Sequence, residues 1–255
     1  MDTEMHKNQC INQNIKEFVK NYNQNKLIPR EDTFKPEIII PCYNHGQYLQ
    51  YTLKSLPKDI AVTIVNDAST DNTAELIADL QHSYKFKLLT NQVNVNQVGS
   101  LNRAITESSS NLFIILNADD ALIKYAVNTI IRVFTLNQSV RMVGGDSIHF
   151  TENHILEHNI NLPEHLSYEP KPSFFHPADA LNYHSLSDIN MTMSGCSFLR
   201  SAWEAVNGFW AFDKRVCSYD DRDFQMRVSA LFDVAVLNEP LAFYRTNSSQ
   251  GKACI

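Results

Sequence analysis

Three polar clusters in this 255-residue chain hold groups able to do chemistry, and each directly follows an apolar run. Pro41-Cys42-Tyr43-Asn44 follows residues 37–40 (EIII), Asn66-Asp67-Ala68-Ser69 follows 61–65 (AVTIV), and Asn117-Ala118-Asp119-Asp120 follows 112–116 (LFIIL). A fourth cluster, Tyr219-Asp220-Asp221-Arg222-Asp223, precedes the apolar positions Phe224, Met226 and Val228. Carboxylates this close together suit two tasks. They can hold a hard divalent cation through oxygen, and one of them can take a proton from a reacting hydroxyl. Asp and Asn also start turns and helices with no chemistry attached. For one cluster that reading is as good as any; three clusters at one place weigh against it.

The elements between the clusters say whether they share a place. Residues 37–40, 61–65, 86–89 and 112–116 read as short apolar strands. Residues 46–56 and 99–108 read as helices, and Ser69, Thr70 and Asp71 offer N-caps for another running through Leu80. Strand and helix alternate, and the strands are continuously apolar. That predicts a mostly parallel sheet with helices on both faces. Ligands of such sheets bind beyond the carboxyl ends of the strands, which is where the first three clusters fall.

Composition removes several classes. The formal net charge is −6, against the positive balance expected of a nucleic-acid binder. No apolar run approaches the ~18 residues that span a bilayer. The start, MDTEMHKNQC, lacks the apolar core of a secretion signal, so a cytoplasmic protein is expected. The five cysteines form no C-x-x-C pair, which speaks against a disulfide framework or a zinc ribbon. Seven glycines, with no G-x-G-x-x-G and no Walker A lysine loop, leave dinucleotide-binding and P-loop enzymes as poor candidates. His154 and His158, spaced i, i+4, could hold zinc on a helix, but their polar surroundings favour surface histidines. Cys42 with His45 could suggest a nucleophile and its base, but they lie in a turn that follows a strand.

Residues 1–35 differ from the rest, being rich in Asn, Gln and Lys. Ile11, Ile15, Phe18, Val19 and Tyr22 recur at helical spacing. The expected division is a helical extension over 1–35 and one domain over 36–255. The extension would pack on that domain, dimerise, or lie on an anionic membrane through Lys16 and Lys20.

From about Pro36 to Ser249 the ordered motifs resemble glycosyltransferase family 2, whose members have the GT-A fold. Ile38-Ile39-Ile40-Pro41-Cys42-Tyr43-Asn44 resembles "IIPxYN", and Val65-Asn66-Asp67-Ala68-Ser69-Thr70-Asp71 resembles "VDDGSTD". Gly99-Ser100-Leu101-Asn102 opens a family-like helix, and Leu116-Asn117-Ala118-Asp119-Asp120 resembles "LDADD". Gly195 to Arg200, Val206-Asn207-Gly208-Phe209, Tyr219 to Phe224 and Tyr244-Arg245 match later motifs in order. The resemblance implies an inverting, non-processive transferase that moves one sugar from a nucleotide-sugar, most commonly a UDP-sugar, to an acceptor hydroxyl. The acceptor class it implies is a surface glycan or a lipid-linked saccharide, with peripheral association at the inner membrane face as an option.

The resemblance also assigns residues. Pro41, Tyr43, Asn44, Asp67, Asn102, Asn117 and Ala118 would bind the donor. Asp67 would accept from the base N3–H, and Pro41 and Tyr43 would frame base and ribose, with core packing the other reading of Tyr43. Asp119 would ligate Mg²⁺ or Mn²⁺. Asp120 would support it through water, or else cap a helix. Asp221 would be the general base, supported by Asp220, with neighbouring acids expected to raise its pKa. Several positions depart from the family: Asn66 and Asn117 stand where it has Asp, Ala68 where it has Gly, Asp220 where it often has Glu, and Asn247 near a frequent His. An amide can ligate a cation through its carbonyl but adds no charge. The "QxxRW" of processive synthases is absent from Gln225-Met226-Arg227-Val228. Two alternatives remain. One is a non-catalytic GT-A module that binds a nucleotide-sugar or glycan beside a partner. The other is a sugar nucleotidyltransferase, which would show a glycine-rich basic loop after its first strand.

Overall fold

The computed structural model describes residues 33–151, 162–177, 191–210 and 220–246. The apolar stripe at 11–22, the His154 and His158 pair, Tyr183, Tyr219 and Asn247 lie outside the described residues.

The chain alternates as its apolar periods predict. β1 (Pro36–Cys42) leads to α1 (Gly46–Lys54), β2 (Ala61–Asn66) to α2 (Thr73–Leu80), and β3 (Lys87–Thr90) to α3 (Asn96–Thr106). β4 (Leu112–Ile115) and the two-residue β5 (Ala121–Leu122) follow, then α4 (Ala126–Leu136), β6 (Val140–Phe150) and β7 (Ser173–Phe175). β8 (Ser197–Leu199), α5 (Arg200–Ala205), α6 (Asp220–Ser229) and β9 (Asp233–Arg245) complete the described elements. They form one sheet in the order β3-β2-β1-β4-β8-β6-β9-β5, with β7 added on β9. β3, β2, β1 and β4 run parallel. β8 is antiparallel to β4 and β6, and β9 is parallel to β6.

The alternation inside β1 explains the two layers of helices. Ile38 and Ile40 join Leu49, Leu53, Ile64, Ile77, Ile114 and Phe134 on one face. Ile39 joins Val65, Leu101, Ile105, Phe113, Ile115, Phe198 and Phe224 on the other. Fully burying each such side chain is worth about 1.5–3 kcal/mol, and a slip of one residue would send every one to the wrong face. Register is therefore held tightly, and with it the positions of the strand ends. Glu37↔Ala61 through Cys42↔Asn66 pair in step, as do Thr63↔Lys87 through Asn66↔Thr90.

Two helix starts differ from expectation. α3 begins at Asn96, a turn before the apolar period, where the Asn94 Oδ1 accepts from the Asn96 N–H at 3.0 Å. α2 begins at Thr73 rather than after Ser69, with Asp71 Oδ1 accepting from Thr73 N at 3.0 Å. Ser69 and Thr70 are drawn off to the β1 turn instead.

α1 and α2 touch at a glycine. The Gly46 N–H donates to Thr73 Oγ1 at 2.9 Å, and a Cβ on Gly46 would stand 2.7 Å from Thr73 Cα. Backbone cannot yield as a side chain tip can. Gly46→Ala is expected to cost about 1–3 kcal/mol through overpacking, read as a Tm lower by about 2–4 °C per kcal/mol in thermal unfolding.

Candidate active site

The strand register carries on one step past the strands. Asp67 N donates to Cys42 O and Asn91 N to Asn66 O, each at 2.9 Å. Tyr43, Asp67 and Asn91 therefore stand side by side at the carboxyl edge. Asp67 is buried, and its Oδ1 accepts from Asn91 Nδ2 at 2.7 Å and from Val95 N at 2.9 Å. Both bonds fall on Oδ1, which leaves Oδ2 as the acceptor available to a ligand. Asn91 is itself locked: its Nδ2 also donates to Ser100 Oγ at 2.9 Å, and its Oδ1 accepts from Arg103 Nη1 at 2.6 Å. Asn91 and Arg103 were not found by sequence reasoning, although Asn91 follows the third strand as Asp67 follows the second. Tyr43 is 43% exposed, so it is not a core residue. Val93 and Val95 add exposed apolar surface to the same edge.

The two turns beside Asp67 are fastened to each other. Asn44 N donates to Ser69 Oγ at 3.0 Å, and Thr70 N donates to Asn44 Oδ1 at 2.8 Å. Asn66 Oδ1 accepts from Ser69 N at 3.1 Å and closes the second turn. Asn66 thus has a structural task that an aspartate would also perform. Ala68 sits at φ 56, in the left-handed region where a Cβ is crowded, which gives the family's glycine at that place its reason.

The acidic loop after β4 is gripped from three sides. Asn117 N donates to Ser194 Oγ at 3.0 Å, and its Oδ1 accepts from Gln97 Nε2 at 2.7 Å. Thr52 Oγ1 on α1 lies 2.7 Å from the Ala118 carbonyl and 2.8 Å from that of Asp120. Ala118 is buried and belongs to the core, so its contribution is this carbonyl anchor. Arg245 Nε donates to the Asp119 carbonyl at 2.9 Å, while its guanidinium lies 4.6 Å from the Tyr48 ring centroid and 4.5 Å from that of Phe150. The Asp119 carboxylate is buried, with His45 Nδ1 3.9 Å from its Oδ1.

Asp120 does not cap a helix. It precedes β5, and the next helix is α4, which starts at Ala126. Its Oδ1 accepts from Arg245 N at 2.8 Å, and its Oδ2 accepts from the Ser194 hydroxyl and from Asn117 Nδ2 at 3.3 Å. Burial, and then the charge of Asp119, push its pKa up to about 7 against the pull of these hydrogen bonds.

Asp221 lies in the first turn of α6, with Oδ1 accepting from Arg222 N at 2.7 Å. Its pKa is raised by burial, with the Arg222 charge and backbone N–H groups opposing. The neighbouring acids are not the cause expected from sequence. Asp223 pairs instead with Arg227, 2.7 Å away and one turn on. Asp221 lies near enough to Cys196 for its charge to act on the thiol. Burial and then its charge push the Cys196 thiol up to about 12, and Cys196 O accepts from Ile115 N at the end of β4 at 2.9 Å. Tyr244 feels all three acids: burial raises its pKa first, then Asp120, Asp119 and Asp221. Asp220 stands partly exposed at the start of α6.

Asn102 is placed elsewhere. Its Oδ1 accepts from Trp203 Nε1 at 3.0 Å and from Phe209 N at 2.9 Å, and its Nδ2 donates to Phe209 O at 2.8 Å. It clamps the turn at Gly208, whose φ is +72 and whose Cβ would lie 2.8 Å from Asn102 Oδ1. These bonds engage both ends of the Asn102 amide in the fold.

Among the described residues no three His, Cys, Asp or Glu side chains gather as a metal cage. The buried Asp119 carboxylate is an oxygen donor of the kind that binds Mg²⁺ when phosphate oxygens and water complete the shell.

The sequence model of glycosyl transferase family 2 matches residues 37–201. Poly-beta-1,6-N-acetyl-D-glucosamine synthase of Staphylococcus epidermidis (strain RP62A) is 31% identical over 133 residues, covering 50% of this chain and 32% of the relative. An uncharacterized glycosyltransferase of Nostoc sp. is 31% identical over 111 residues, 42% of this chain and 34% of the relative. The chain thus spans about a third of the length of the curated relatives it matches. Among solved structures, S. aureus TarS 1–349 in complex with UDP-GlcNAc has a TM-score of 0.64 at 17% identity, over 84% of this chain and 59% of that one. The mannosyltransferase PcManGT of Pyrobaculum calidifontis, in complex with GDP-Man and Mn²⁺, has a TM-score of 0.56 at 15% identity, over 91% and 64%. These structures share the GT-A-like fold described above.

Two stability changes follow from the site. Ala68→Gly relieves a left-handed Cβ, worth about 1–2 kcal/mol, but loosens the unfolded chain by about 0.4–1 kcal/mol; a small net gain in Tm is expected. Asp221→Asn removes a half-buried charge while keeping the Oδ1 acceptor. Because the folded pKa of Asp221 is raised, the wild type carries no penalty while the group is protonated. The penalty grows as pH rises from the ordinary 3.8 through the folded value. Thermal unfolding across pH should show Asp221→Asn more stable at neutral pH, with the advantage vanishing in acid.

Proposed function

The chain belongs to glycosyltransferase family 2, and from that membership we propose that it is an inverting, non-processive transferase. It moves one sugar from a nucleotide-sugar to an acceptor hydroxyl. The observation that supports this reading is that the buried carboxylates Asp67 and Asp119 follow β2 and β4, the parallel strands on either side of β1, at their carboxyl ends, with Asp67 braced through one oxygen only.

In this reading Asp67 Oδ2 accepts from the base, between Tyr43 and Val95, and the braced network behind it keeps the acceptor in place. Asp119 faces the diphosphate. Mg²⁺ or Mn²⁺ held there would supply Lewis-acid stabilisation of the charge that grows on the leaving diphosphate. Asp221 takes the proton of the acceptor hydroxyl as its oxygen attacks the anomeric carbon. The sugar–phosphate bond breaks on the opposite side, so the anomeric centre inverts and the proton ends on Asp221. A base with a raised pKa holds that proton better than an ordinary carboxylate, bringing it nearer the optimum for transfer near neutral pH.

UDP is the nucleotide we assign first; the similar structures hold UDP-GlcNAc in one case and GDP-Man in the other. A surface glycan or lipid-linked saccharide is the acceptor class, supported by the polysaccharide-forming relative. Single addition is supported by the absence of "QxxRW". No helix among the described residues is long and apolar enough to cross a membrane; we assign the chain to the cytoplasm, with peripheral contact at the inner membrane face.

Calorimetry with UDP, GDP, dTDP and CDP, each with and without Mn²⁺, tests the donor reading. Metal-dependent binding of one nucleotide is expected, and no binding of any would move the assignment to a non-catalytic module. Asp119→Ala should abolish the metal dependence. Asp221→Asn should lower transfer by roughly 10²–10⁴-fold while nucleotide binding stays within about twofold; full activity in that variant would refute the base assignment.

A further inference from the structure

We propose that His45 is a second protein ligand of the divalent cation, working with Asp119; the proposal rests on the metal-dependent donor reading above. Its ring comes from the turn between β1 and α1, while Asp119 comes from the loop after β4. His45 Nδ1 and Asp119 Oδ1 are 3.9 Å apart. That is too long for a hydrogen bond. Adjacent donors on an octahedral ion stand about 3.0 Å apart, so closing the pair by roughly 1 Å, within reach of a rotation of the half-exposed His45 ring, would set both on one ion.

Both donors are fixed from behind. The His45 backbone N–H donates to the Cys42 sulfur, and its carbonyl accepts from Tyr48 N at 3.0 Å. Its ring meets the Tyr48 ring edge-on, with centroids 5.7 Å apart. His45 occupies the N-cap position of α1, yet its side chain makes no cap bond to the helix. The ring is thus not used in starting the helix, and it stands 41% exposed beside a buried carboxylate. On the other side, Asp119 is held through its carbonyl by Arg245 and through its neighbours' carbonyls by Thr52. Tyr48 also carries the Arg245 guanidinium, so one ring sets the position of both donors. Neutral imidazole is a common metal ligand, and a nitrogen donor beside a carboxylate favours Mn²⁺ over the harder, oxygen-preferring Mg²⁺. His45 would add the nitrogen donor that a site with Asn117 in place of an acid otherwise lacks, the Asn117 amide oxygen being already engaged by Gln97.

The test is electron paramagnetic resonance on the full chain with Mn²⁺ and UDP at pH 8. Free Mn²⁺ reports affinity, and electron spin-echo modulation reports a directly coordinated ¹⁴N. Wild type should show the nitrogen modulation. His45→Phe, which keeps the edge contact with Tyr48, should lose it and weaken Mn²⁺ binding by roughly tenfold or more. His45→Asn, with an amide oxygen near the place of Nδ1, should recover part of the affinity without the nitrogen signal. His82→Gln, at an exposed position on the α2–β3 connection, should change neither. Mn²⁺ and UDP bound together without nitrogen modulation in wild type would overturn the His45 assignment and leave the metal-dependent reading standing. An equal loss of UDP affinity in His45→Phe with and without Mn²⁺ would make His45 a phosphate contact and also overturn it. If wild type binds neither Mn²⁺ nor UDP, the donor reading itself fails, and the proposal with it.

Discussion

The buried carboxylate of Asp120 accepts from the backbone of Arg245, the hydroxyl of Ser194 and the amide of Asn117. Through these it joins the end of β9, the segment leading into β8 and the end of β4. The arrangement is costly, since burial and the charge of Asp119 lift its pKa to about 7. A buried carboxylate without partners would be worse still. The three donors therefore specify one geometry, and that geometry sets where Asp119 points. Arg245 adds its own grip on the Asp119 carbonyl while wedged between Tyr48 and Phe150. A residue that looks like half of an acidic pair is thus the knot that holds the other half.

The polar residues at the sheet edge divide into two kinds. Asn44, Asn66 and Asn102 spend their amides on turns: one joins the β1 and β2 loops, one closes the β2 turn, one clamps Gly208. Amides suit this work because each offers a donor and an acceptor without the cost of a buried charge. The carboxylates are kept for places where charge has a use. Asp67 is braced on one oxygen only, and the partial burial of Asp221 raises its pKa above that of an ordinary aspartate. Viewed this way, asparagine in place of aspartate at position 66 removes little, because its role in the turn needs only an acceptor.

The rigidity of that edge comes from the layers beneath it. β1 is buried on both faces, and its alternate isoleucines belong to two different cores. The register of β1 with β2, and of β2 with β3, cannot shift without exchanging those cores. The strand ends stay level, so side chains one residue beyond them meet side by side. Long-range bonds such as Asp67 N to Cys42 O are a consequence of that level edge.

The α/β alternation, the parallel first half of the sheet and the carboxyl edge shared by the first three polar clusters were legible in the residues alone. Each rests on local information: a period of two or 3.6, or a polar group directly after an apolar run. What tertiary structure decided lies between segments far apart in the chain. Asp120 and Arg245 are 125 residues apart, and Asn102 and Phe209 are 107 apart. No local spacing records such contacts, so the clamp made by Asn102 and the knot made by Asp120 were not legible in the sequence. The same holds for Asn91 and Arg103 behind Asp67, and for His45 beside Asp119. Backbone propensity sets which element a residue belongs to; only the packing of whole elements sets which side chains meet.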